Sequence, residues 1–188
     1  AAKNAGATAV MTTEDCKSGT DRISQALEGR EFEYVLNLQG DEPHVPPEVI
    51  DGVFEALSKG ASVATAARKL RSERELSDPS RVKVVCDTNG KALLFSRAPI
   101  PYARESSDSQ LALETARVHI GLYGFQREVL ARYSSLERPA IESVERLEQL
   151  RLLYAGYDIE VLECDDFGDS RDTQEELDRF DLQQEGKR

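Results

Sequence analysis

Apolar and polar positions along the chain follow two periods. Short apolar runs of strand length stand at residues 7–12 (ATAVMT), 34–38 (YVLNL), 62–67 (SVATAA), 119–125 (HIGLYGF) and 158–163 (DIEVLE). Between them the spacing changes to that of helices. Ile23 and Leu27 lie four apart in residues 20–27, and Val49, Val53 and Leu57 repeat through residues 46–58. Pro46 and Pro47 suit a first helical turn, and Gly60 is placed to end that helix. Further helices are predicted over 141–154, with a stripe of Val144, Leu147, Leu150 and Tyr154, and over 173–184. Strands alternating with helices predict one α/β domain built on a mixed, mostly parallel sheet covered on both faces.

One region breaks the rhythm. Residues 81–87 (RVKVVCD) alternate, Asn89-Gly90 is a hairpin turn, and residues 92–95 return, which predicts an antiparallel insertion. Residues 104–115 (RESSDSQLALET) are mostly polar and read as a mobile loop. Composition narrows the reading. The chain has 188 residues, 39% of them apolar and 31% charged, which suits a soluble globular domain with a real core. A formal charge of −11 argues against duplex nucleic acid or an anionic membrane as partner. No apolar run reaches the ~20 residues that span a bilayer. Cys16, Cys86 and Cys164 are too scattered for a disulfide framework or zinc site. With no signal or transit peptide in view, thiols in a reducing cytoplasm are expected.

In a sheet of this kind ligands bind outside the carboxyl ends of the strands, so the segments that follow strands are where chemistry is sought. In residues 35–43, VLNLQGDEP, a buried strand surfaces into Gln39, Gly40, Asp41 and Glu42. This is a turn or a loop that holds a hard cation: Gly, Asp and Pro make turns, and carboxylate oxygen is what Mg²⁺ prefers. Asp172 precedes the last helix and is a cap or a ligand, since Glu175 or Glu176 could close a capping box. Ser18, Gly19 and Thr20 open a helix, where hydroxyls and amides cap it or meet a phosphate or a base. Arg97 in FSRAPIPY is a surface arginine or a clamp for a carboxylate or phosphate. His119 sits on an apolar strand, where a satisfied structural role competes with a functional one. Glu145, Glu148 and Gln149 fall off the apolar stripe of their helix and read as a solvated face.

The order of these segments carries more than any one of them. SGTDR, NLQGDEP, VKVVCDTNGKALLFSRAPIP, HIGLYGF, ESVERLEQLR and a late DTQEEL stand in this order between residues 18 and 177, within a resemblance that runs nearly the whole chain, from residue 1 to about 180. Together they resemble the 3-deoxy-manno-octulosonate cytidylyltransferases, the CMP-Kdo synthetases. The resemblance implies a single-domain, Rossmann-like nucleotidyltransferase fold whose hairpin insertion serves a homodimer. It implies an enzyme that joins CTP to the acid sugar Kdo, giving CMP-Kdo and pyrophosphate for lipopolysaccharide synthesis. It implies that Asp41 and Asp172 hold Mg²⁺ and that Ser18, Gly19 and Thr20 lie along the cytidine. Gln39, Arg97, His119, Tyr123, Glu148 and Gln149 would surround Kdo, with Arg97 on its carboxylate and Glu148 and Gln149 on its hydroxyls.

Two departures from the family pattern stand out. The family's first strand and its glycine- and arginine-containing phosphate loop are expected to be missing from this sequence. Ser170-Arg171 also replaces the Gly-Val pair that precedes the family's Asp-Thr. The alternatives are a cytidylyltransferase for another acid sugar, such as a sialic acid, and an inactive binding remnant.

Overall fold

The computed structural model describes residues 2–16, 18–40, 42 and 44–165. Six strands form one sheet: β1 (Tyr34–Leu38), β2 (Val63–Lys69), β3 (Lys83–Cys86), β4 (Ala92–Ser96), β5 (Arg117–Gln126) and β6 (Ile159–Cys164). Seven α-helices are described with them: α1 (Gly19–Ala26), α2 (Pro47–Ser58), α3 (Glu73–Ser77), α4 (Ser109–Thr115), α5 (Arg127–Tyr133), α6 (Ala140–Glu145) and α7 (Leu150–Tyr154). The sheet order is β4-β3-β5-β2-β6, with β1 also paired to β5. The α/β alternation read from the sequence is therefore present, with helices on both faces.

The pairing is less parallel than predicted. Of the five strand pairings only β2–β6 is parallel. Four strands, β1, β2, β3 and β6, do point the same way. The long strand β5 runs against them from the middle of the sheet, so every ladder involving it is antiparallel. The chain pattern shows where strands are; it does not show which one ends up central.

Each face has its own core. Under α2, Val49, Val53, Ala56 and Leu57 pack on Ala64, Ala66, Ile120 and Leu122. Val49, Val53 and Leu57 are the helical stripe predicted for residues 46–58, and Gly60 ends the helix with φ +109°. On the other face Tyr123, Phe125, Val129, Leu130, Tyr133, Leu150 and Leu152 form the larger cluster, with Ile23 and Leu27 of the α1 region packed against it. The hairpin forms as predicted. Gly90 takes φ +78°, and the Asp87 carboxylate accepts from the amides of Asn89 and Lys91.

Three local readings are corrected. Residues 7–12 form no strand, and Met11 is 95% exposed. An apolar run becomes a strand only with a ladder partner, and none of the described strands pairs with it. Residues 104–115 are not wholly loop. A 3-10 turn, Ser106–Asp108, leads into α4, where the LALE run supplies good helix formers and Ala112 is buried. The helix predicted over 141–154 is two helices, α6 and α7. Arg146 adopts a left-handed conformation, φ 53° and ψ 47°, and resets the phase. Leu147 and Leu150 are buried as predicted, but Val144 and Tyr154 are 82% and 63% exposed. The helix predicted over 173–184 lies outside the described residues.

Candidate active site

The sheet leaves a gap along one edge of β5. β1 pairs with residues 122–126 of β5, and β3 pairs with residues 117 and 118 of the same edge. Between them, residues 119–121 face no strand. Local groups take the place of a ladder. His119 N donates to Val82 O at 2.9 Å, Gln39 N donates to Gly121 O at 3.0 Å, and Gly121 N donates to the Glu42 carboxylate at 3.0 Å. On the opposite edge the register with β2 slips between Thr65 and Ala66, so Gly121 and Leu122 bulge. A strand junction with a bulge re-aims side chains, and here it opens a cleft of about 590 Å³.

The cleft gathers residues that are remote in sequence. Gln39, Arg97, His119, Tyr123, Glu148 and Gln149 all line it, as does Ser18. Gly19 and Thr20 sit beside Glu148: a Cβ built on Gly19 would lie 3.7 Å from its carboxylate, and Thr20 N donates to that carboxylate at 3.2 Å. Ser18 also accepts from Asp21 N at 3.1 Å, so it is the N-cap of α1. The helix-start amide of Thr20 is thus already engaged by Glu148. Asp41 and Asp172 lie outside the described residues.

The break between α6 and α7 carries Glu148 and Gln149 into the cleft instead of onto a solvated helix face. Tyr133 donates from its hydroxyl to Glu148 O at 3.3 Å and steadies that turn. Burial raises the Tyr133 phenol well above its ordinary range, so it stays a donor. Its ring lies under the Arg151 guanidinium, 4.4 Å from the ring centre. Arg151 is in turn held by two bonds to the buried Glu142 carboxylate, at 2.8 and 2.7 Å.

Arg97 is positioned by Glu145, which the sequence places on a solvated face, and by groups that the sequence does not mark. The Glu145 carboxylate accepts from Arg97 N at 2.9 Å and from Ser96 Oγ at 2.6 Å. Arg97 Nε donates to Glu145 O, and Nη1 donates to Pro79 O. Two of the guanidinium's five N–H groups are fixed this way, and the other three have no acceptor among the described residues. Lys83 is fully buried and donates to Asp78 O, Arg81 O and Arg97 O at 2.6–2.7 Å. Burial pulls its ammonium below the usual lysine range. Lys83 therefore ties the 78–81 turn to the end of β4. In the sequence it is merely the polar position of RVKVV, and nothing in that alternation marks it as inward-facing.

The local charge opposes the global one. Arg68, Arg81, Arg97, Arg138 and Arg146 line the cleft against Glu42, Glu142 and Glu148. A chain of formal charge −11 thus turns a cationic excess toward this cleft. Desolvation pushes His119 down to about 3, so its ring is neutral near pH 7. No group of three or more His, Cys, Asp or Glu side chains suited to a metal occurs among the described residues. No described helix is long and apolar enough to cross a membrane.

Comparison with known proteins places this architecture. A cytidylyltransferase family model matches residues 1–159. The chain is 43% identical over 181 residues to the 3-deoxy-manno-octulosonate cytidylyltransferase of Anaeromyxobacter dehalogenans, covering 95% of this chain and 72% of that protein. It is 38% identical over 179 residues to the protein of the same name from Fusobacterium nucleatum, covering 94% of this chain and 71% of that protein. A solved structure of CMP:2-keto-3-deoxy-manno-octonic acid synthetase complexed with CTP superimposes with a TM-score of 0.88 at 35% identity, over the whole of this chain and 76% of that one. The chain belongs to the cytidylyltransferases and, within them, to the 3-deoxy-manno-octulosonate cytidylyltransferase family.

Proposed function

We propose that this chain transfers CMP from CTP to Kdo, with release of pyrophosphate. The observation that carries the reading is the cationic cleft, which collects Gln39, Arg97, His119, Tyr123, Glu148 and Gln149 around one bulge of β5. Both substrates are anions, and both reactants bring negative charge to the point of bond formation. Arginines lining a partly desolvated cleft reduce that repulsion far more than they would in water. The Arg97 guanidinium suits the sugar's carboxylate, while Gln39, Glu148 and Gln149 offer the acceptors and amides that hydroxyls need.

The α1 start, with Ser18, Gly19 and Thr20, is hydrogen-bonded to the same Glu148 turn. The cytidine and sugar ends of the site are therefore mechanically joined. Holding the sugar's anomeric hydroxyl in line with the α-phosphorus is where such a site gains rate, up to roughly 7–11 kcal/mol for ideal orientation.

Asp41 and Asp172 would hold Mg²⁺. As a donor set, two carboxylates with phosphate oxygens match what that ion takes. When bound, the ion neutralises phosphate charge and lowers the pKa of a bound hydroxyl. The product would feed lipopolysaccharide assembly in the cytoplasm, and the β3–β4 hairpin would serve a homodimer.

The test is pyrophosphate release with CTP and Mg²⁺, using Kdo and a sialic acid in parallel. Turnover with Kdo is expected, and turnover with the sialic acid alone overturns the choice of sugar. Asp41→Asn is expected to lower kcat by about 100-fold or more with a melting temperature close to wild type. A loss of folding equal to the loss of rate would overturn the metal role.

A further inference from the structure

Thr65 is fully buried at the point where β2 and β5 slip register. Its hydroxyl donates to Leu122 O at 2.6 Å, the carbonyl that the bulge turns toward it. The same oxygen lies 3.0 Å from His119 Nε2. A hydroxyl has one proton, and here Leu122 O takes it. The bond to His119 must therefore run the other way, with Nε2–H donating and Thr65 Oγ1 accepting. In a neutral imidazole this leaves Nδ1 as a bare lone pair. Among the described residues nothing hydrogen-bonds to Nδ1. The ring is also fixed in attitude, edge-on to Phe95 at 5.2 Å and tilted against Tyr123 at 5.0 Å between centres. His119 lines the cleft.

We propose that Thr65 is a positioning residue that locks His119 in the Nε2–H tautomer, so that Nδ1 accepts a hydrogen bond from a hydroxyl of the acid sugar. This rests on the function proposed above. The assignment has a consequence for how the substrate lies. A lone pair repels a carboxylate, so the sugar's anionic end is turned away from His119 and toward the arginines. The bulge that shapes the cleft also presents the Leu122 carbonyl to Thr65. Cleft shape and imidazole tautomer therefore have the same structural origin.

The chain contains two histidines, His44 and His119, so ring-nitrogen resonances are few. Long-range ¹H–¹⁵N spectra of the ¹⁵N-labelled full chain near pH 7, assigned with His119→Asn, are expected to show His119 protonated at Nε2 and bare at Nδ1. Thr65→Val keeps the side-chain shape and removes the acceptor. It is expected to shift His119 toward the other tautomer and to raise KM for Kdo about tenfold, the size of one lost hydrogen bond, with KM for CTP within about twofold. Thr65→Ser keeps the hydroxyl and is expected to restore both.

A wild-type spectrum with Nδ1 protonated overturns the proposal whatever the substrate. An unchanged tautomer in folded Thr65→Val overturns it too. If Thr65→Val does not fold, the wild-type and Thr65→Ser spectra decide. A wild type that turns over no Kdo overturns the proposed function, and the spectrum still decides the tautomer.

Discussion

Gly121 and Gly124 stand three residues apart on β5, yet they serve different surroundings. A Cβ on Gly124 would lie 2.7 Å from Leu57 and 2.8 Å from Val53, both fully buried under α2. A Cβ on Gly121 would lie 2.6 Å from the tip of Gln39 and 3.1 Å from Glu42 Cγ. The first glycine lets a helix pack onto the sheet. The second lets polar side chains close over a bulge. The α2 face is held by apolar contact, whereas the cleft wall is held by oriented hydrogen bonds and ion pairs around Glu142, Glu145 and Lys83. Stability and activity should therefore separate when the two regions are perturbed.

The largest effect is expected at the cleft's own support. Glu142→Gln leaves the buried Arg151 without its carboxylate and should cost about 3–5 kcal/mol in denaturant unfolding. A loss below about 1 kcal/mol would mean that the cleft wall does not depend on this pair. Gly124→Ala overpacks the α2 face and should cost about 1–3 kcal/mol, while the folded fraction keeps the wild-type KM for Kdo.

His119 makes acid stability a third measure. Its folded value of about 3 lies below the ordinary 6.5, so between those pH values the unfolded chain binds the extra proton. The His119 contribution is therefore intact above 6.5 and is lost as the pH falls toward 3, by at most about 1.4 kcal/mol per pH unit. Urea midpoints of wild type and His119→Asn, compared from pH 7 to 4.5, should diverge by that slope. Parallel curves would refute it. Gly121→Ala should shift stability least, by under about 1 kcal/mol, because the Gln39 tip can move away. It should nevertheless raise KM for Kdo about tenfold. If Gly121→Ala instead unfolds the chain as Gly124→Ala does, the two regions are not separable.

Much of this was legible along the chain, and for identifiable reasons. The helical period of Val49, Val53 and Leu57 and the Asn89-Gly90 turn are local features, and they appear where the spacing put them. The ordered motifs led to Gln39, Arg97, His119, Tyr123, Glu148 and Gln149, which meet in one cleft. Residues 7–12 misled because a strand requires a partner, and none of the described strands pairs with them. Residues 141–154 misled because the helical stripe carries no mark of the left-handed Arg146.

Local spacing and motif order were enough for most element types, for the family and for Gln39, Arg97, His119, Tyr123, Glu148 and Gln149 of the cleft. They could not supply the central, reversed position of β5, the bulge at Gly121-Leu122, the inward turn of Lys83 or the Thr65–His119 bond. Periodicity reports which face of an element is apolar. Register, burial of a single charge and the direction of a hydrogen bond depend on what packs against that face, and those neighbours are brought together only by folding.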